Sequence, residues 1–208
     1  MNGQRVLQVL VQNETVRAMQ GAMVAYEGNV EFKHAGMGGG GGFKAALKQK
    51  MTGESLKLME MTGHGMVYLA VDAMEVELVR IQNDTLFVES EALLAIDGAL
   101  RTDVKFTGLR GASTGQGLFT TTVSGDGMVA LLSDGPMIAL EVSPQYPLVV
   151  DPDAFIAYRG QLQQTFVTDV SWKTAIAEGS GEAFSLSFQG NGVVYIQPAE
   201  RGSLFGEI

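Results

Sequence analysis

A 39-residue stretch, Thr62 to Leu100, repeats without a gap 62 positions later as Ser124 to Leu162. Thirteen aligned positions are identical: Gly63/Gly125, Gly65/Gly127, Met66/Met128, Val67/Val129, Leu69/Leu131, Asp72/Asp134, Leu78/Leu140, Leu86/Leu148, Val88/Val150, Ala92/Ala154, Ala95/Ala157, Gly98/Gly160 and Leu100/Leu162. An internal duplication of this kind restricts the chain to architectures built from a recurring unit. Fragments of a third copy stand at the two ends. Val11 to Val30 aligns with Ile81 to Leu100 at an offset of 70, with Gln12/Gln82, Asn13/Asn83, Thr15/Thr85, Ala22/Ala92, Ala25/Ala95 and Gly28/Gly98 identical, and Tyr26 matches Tyr158. Gly190-Asn191-Gly192 to Ile196 matches Gly63-His64-Gly65 to Leu69 at an offset of 127.

The recurring unit reads as strand. Met74 to Val79 alternates, Thr85 to Val88 and Tyr146 to Val150 are β-rich, and 27 glycines against 5 prolines suit many short strands. Gly63-His64-Gly65, Gly125-Asp126-Gly127 and Gly190-Asn191-Gly192 are expected to be equivalent turns, with Gly28, Gly98 and Gly160 a second set. The expected fold is all-β: three internal repeats in a pseudo-threefold closed body. One domain spans about residues 1–200, with units at about 31–100, about 101–162, and about 163–198 joined to 3–30, and a C-terminal tail at 201–208. In this reading the terminal strands pair and complete the third repeat, removing open sheet edges. Phe43 to Met51, after the glycine run Gly36 to Gly42, departs from the pattern and reads as a short helix.

The repeats, the Gly-x-Gly sites and the Thr52-Gly53-Glu54-Ser55 box together resemble the altered-inheritance-of-mitochondria 24 family. The resemblance runs from about Val6 to Pro198, and the second copy departs from the box as Thr114-Gly115-Gln116-Gly117. It implies a ring of three small β-subdomains similar to the tryptophan RNA-binding attenuation protein, with double-stranded β-helix or sandwich units. It also implies a loose link to mitochondrial membrane organisation in eukaryotic relatives. It brings no catalytic residues.

Composition narrows the functional classes. With no cysteine, disulfides and thiol chemistry are excluded, and two histidines leave little for a metal centre. A net charge of −9 opposes general nucleic-acid binding. No signal peptide or membrane-spanning run is read, so a cytoplasmic protein is expected. Gly36, Gly38 and Gly41 fit a phosphate-loop spacing, but in a run of glycines without the βαβ context that reads as a loop. Gly111-Ala112-Ser113-Thr114-Gly115 fits a nucleophile pattern, yet a strand follows where a helix is required. The acidic residues, from Asp72 and Glu75 to Asp151 and Asp153, read as solvated faces and turns, with a divalent-cation site at Asp72 and Asp134 the minor alternative.

One local feature points to a contact surface. Phe43, Lys44, Leu47, Lys48 and Lys50 would make a basic amphipathic helix that rests on an anionic membrane, or else packs on the β body. The leading functional expectation is therefore a non-catalytic interaction or scaffold protein without a cofactor, acting through self-association, a protein partner or peripheral membrane contact. The alternative is a small-ligand module with sites between repeats, its ligand unknown.

Overall fold

The computed structural model describes residues 4–34, 57–109, 117–168 and 184–199. Twelve strands form one open antiparallel sheet system: β1 (Leu7–Gln12), β2 (Val16–Met19), β3 (Met23–His34), β4 (Leu58–Leu69), β5 (Glu75–Glu89), β6 (Leu93–Asp97), β7 (Arg101–Leu109), β8 (Gly117–Ser133), β9 (Ile138–Val142), β10 (Leu148–Val150), β11 (Phe155–Thr168) and β12 (Phe184–Ile196). Among the described residues helical structure is confined to a 3-10 turn, Ser90–Ala92, and no helix is long and apolar enough to cross a membrane. The expected helix at Phe43 to Met51, the glycine run before it and Ser113 lie outside the described residues.

Three strands, β4, β8 and β12, each gather their own neighbours. Strand β4 pairs with β3 on one side and with β1 and β2 on the other. Strand β8 pairs with β5 on one side and with β6 and β7 on the other. Strand β12 pairs with β11 on one side and with β9 and β10 on the other. Two joints link these groups, β2 to β6 and β5 to β11.

The expected pairing of the terminal strands is corrected here. Among the described residues β12 bonds to β9, β10 and β11, and β1 bonds to β4. Each of β4, β8 and β12 takes the strands that precede it in sequence, so hydrogen bonding groups residues 7–69, 75–133 and 138–196. Local pairing closes shorter loops than a union of the two termini and costs less chain entropy. Among the described residues the sheet path runs from β1 to β10 without closing.

The Gly-x-Gly sites are not turns either. Gly63, Gly125 and Gly190 lie inside β4, β8 and β12, with φ of 115°, 131° and 127°. At Gly63 and Gly190 the neighbouring backbone comes so close that a Cβ would lie 2.3 and 2.2 Å from the Asn29 and Gln161 carbonyl oxygens. Gly28 faces Gly65, and Gly160 faces Gly192, across adjacent strands. Glycine within a strand commonly marks such an approach.

Burial follows the joints. Val11, Met61 and Leu69 pack with Leu94, Ala95 and Leu132 around the first. Leu86, Val88 and Val129 pack with Ile156, Ala157 and Tyr195 around the second. A smaller cluster of Phe155, Tyr158, Leu186 and Phe188 fills the last group, with Phe87 against it.

Candidate functional site

The first joint carries a cleft. Where β2 meets β6, Val16, Arg17 and Ala18 lie opposite Asp97, Ile96 and Ala95. The kinked chain beyond β6 leaves an open cleft of about 610 Å³, lined by Thr15, Arg17, Glu60, Gly98, Leu100 and Arg101 among others. Arg17 anchors it. Its Nη2 donates to the Leu100 carbonyl and its Nη1 to Thr102 Oγ1 at 3.5 Å. Its Nε is buried without a hydrogen-bond partner in the protein. Burial lowers the Arg17 pKa, and the Glu60 charge opposes that shift. An arginine starts so far above neutrality that the guanidinium stays charged.

The second joint is largely apolar, with Arg159 opposite Leu86 at its end. Phe87 of β5 stacks on Tyr158 of β11, centroids 4.5 Å apart and rings 5° from parallel. Burial raises the Tyr158 pKa. Neither joint offers a nucleophile with an adjacent base.

The carboxylates sit in separate places. Asp126 accepts from Arg80 on the surface at 3.1 Å, and Asp97 Oδ2 accepts from the Met128 amide at 2.7 Å. Glu89 Oε2 accepts from the Glu91 amide, capping the 3-10 turn. Asp72 lies in a turn with φ of 44°, and the Asp134 amide donates to Gln197 Oε1. Among the described residues no three histidine, aspartate or glutamate side chains gather where they could hold a metal ion. His64 is exposed on β4 and His34 ends β3. Phe43, Lys44, Leu47, Lys48 and Lys50 lie outside the described residues, so the structure adds nothing to their sequence reading.

Two edges complete the picture. The outer side of β3 exposes Met23, Val24 and Tyr26, and β10 with the turn before it exposes Tyr146 and Val149. Sequence reasoning missed these edges and Arg17 alike. A signal existed for Arg17: the repeat places it at the position of Phe87 and Val149. A cation at an otherwise apolar repeat position marks a changed local chemistry.

A solved structure shares this architecture. The crystal structure of a Streptococcus pyogenes protein superposes with a TM-score of 0.74 at 22% identity, covering 96% of this chain and 91% of that one. At that identity the likeness speaks to fold alone. Among curated proteins none matches the sequence. The family model described as mitochondrial biogenesis AIM24 matches residues 1–199. On that match across nearly its whole length, the chain belongs to the mitochondrial biogenesis AIM24 family.

Proposed function

We propose that this chain is a non-catalytic β scaffold of three repeated units that engages another sheet through its end strands. The observation that carries the reading is the apolar row Met23, Val24 and Tyr26 on the outer side of β3. An exposed apolar sheet edge pairs readily with another chain, and large apolar exposure marks interaction surfaces. The three-unit organisation is supported by the repeated pairing scheme around β4, β8 and β12. A closed threefold body of the attenuation-protein type would need a third joint, between β10 and β3. Membrane contact through Lys44, Lys48 and Lys50 rests on sequence alone.

The test is photo-crosslinking in the host cell, with a benzophenone amino acid at position 26 or 149 and, as control, at Asn83, which is exposed at the bulge of β5. Positions 26 and 149 are expected to give protein crosslinks of discrete size, and position 83 none. Equal, diffuse labelling at all three would end the scaffold reading.

A second reading, a small-ligand module, is favoured by one observation, the buried and unpartnered Nε of Arg17 beside Arg101. Such a cleft suits a small anion with oxygens to share between two guanidinium groups. Calorimetric titration with inorganic phosphate and with dicarboxylates is expected to show binding that Arg17→Gln abolishes. Absence of heat with every anion would remove this reading.

A further inference from the structure

The two joints inside the chain are one joint made twice. At the first, Ala18 lies opposite Ala95 and Arg17 opposite Ile96. At the second, Val88 lies opposite Ala157 and Phe87 opposite Tyr158. The repeat offsets superpose them: Ala18 and Val88 are 70 residues apart, Ala95 and Ala157 are 62 apart. Carrying the offsets one step further finds two half-joints. Val150 in β10 follows Val88 by 62, and Ala25 in β3 precedes Ala95 by 70.

Both half-joints lack the partner their equivalents have. Among the described residues β3 pairs with β4 alone and β10 with β12 alone. Side-chain exposure tells the same story. Leu94 and Ile156 are fully buried, while the equivalent Val24 is 59% exposed. Ile96 and Tyr158 are 2% and 8% exposed, while Tyr26 is 51% exposed. Across the joint, Phe87 stacks on Tyr158, but the equivalent Val149 is 49% exposed. The small residue at the joint's closest approach is kept as well: Ala95 and Ala157 have Ala25 as their counterpart. These surfaces have the composition of a core face and the solvent exposure of an edge.

We propose, resting on the scaffold reading above, that a second copy of this chain completes the joint head to tail. Strand β10 of one copy pairs antiparallel with β3 of the next, with Ala25 opposite Val150, Tyr26 opposite Val149 and Glu27 opposite Leu148. The occupant is a second copy because the two half-joints are complementary to each other by the same scheme that works twice within the chain. One chain carries one of each, at opposite ends of its three groups. Head-to-tail contacts of this kind close into rings or extend into filaments.

Purified protein tests this by sedimentation velocity over a range of concentrations. Wild type is expected to grow in mass with concentration. Tyr26→Lys and Val149→Lys should each stay monomeric alone and remain folded, because both positions are about half exposed in the single chain and Tyr26 gives up only an edge contact with Phe32. Mixed together they should form a one-to-one dimer that grows no further, since each supplies the half-joint the other lacks. A wild type that stays monomeric at every concentration, or variants that fail to recombine, would overturn the proposal. The cysteine-free sequence allows a second measurement, oxidation of a Tyr26→Cys/Val149→Cys double variant. Crosslinked ladders are expected, and a disulfide within single chains would overturn the second copy in favour of self-closure. Failure here is separable from failure of the scaffold reading: photo-crosslinks at position 26 to a different protein would leave the scaffold standing without self-assembly.

Discussion

Gly190→Ala is expected to destabilise the protein by about 4 kcal/mol or more, and Gly63→Ala by a similar amount, while Gly125→Ala costs about 1–3 kcal/mol. All three occupy the same repeat position with similar φ, 127°, 115° and 131°, so the strain of placing a side chain in that conformation is common to them. What differs is the space. A Cβ on Gly190 would lie 2.2 Å from the Gln161 carbonyl oxygen, and on Gly63 2.3 Å from that of Asn29. Backbone atoms at those distances must move apart, which breaks the β11–β12 or β3–β4 ladder at its centre. A Cβ on Gly125 meets the side-chain tip of buried Leu100, Cδ2 at 3.1 Å, and its Cα only at an ordinary 3.9 Å. The reason is that the chain beside β8 is interrupted between Asp97 and Arg101, so no carbonyl oxygen points at that Cβ position as it does at Gly63 and Gly190. Urea denaturation of the three variants checks the ranking, and equal costs would mean that conformational strain alone sets it.

The same glycines show how far the sequence could be read. The repeat was legible because identities such as Gly63/Gly125 and Leu86/Leu148 fix an offset without any structural knowledge. The conformation at Gly63 was not, since positive φ serves a turn and a strand kink equally well. Partner choice was hidden for a related reason. Alternation in Met74 to Val79 says that a strand has two faces, and does not say whether the preceding or the following strand lies beside it. The closed body was therefore inferred from split repeats, where hydrogen bonding instead groups each of β4, β8 and β12 with the chain before it. Arg17 escaped notice because its importance lies in the interrupted stretch around Leu100, whose carbonyl it reaches only in the fold. The edge at Val24 and Tyr26 was invisible for the opposite reason: as sequence it is indistinguishable from Leu94 and Ile96, which are buried.

Phe188→Ala is expected to cost about 3–5 kcal/mol, the range for removing a buried aromatic side chain from a packed core. Phe188 is fully buried in β12, with its ring 5.6 Å from that of Phe155 and 5.3 Å from that of Tyr158. The repeat puts Met61 and Val123 at this position, so the aromatic cluster belongs to the third group alone. Its energetic reach extends further. Tyr158 holds Phe188 on one side and stacks with Phe87 of β5 on the other, which makes it the hinge between the last core and the second joint. Loss of Phe188 lets Tyr158 relax into the vacated space and loosens its stacking on Phe87. Phe87→Ala and Phe188→Ala should therefore be non-additive by about 0.5 kcal/mol or more, although their rings need not touch. Phe188→Leu keeps most of the volume and should cost about 1–1.5 kcal/mol. Denaturation of the two single variants and the double variant, followed by circular dichroism, decides the matter. A double variant whose cost equals the sum of the singles would separate the cluster from the joint and leave Tyr158 as core alone.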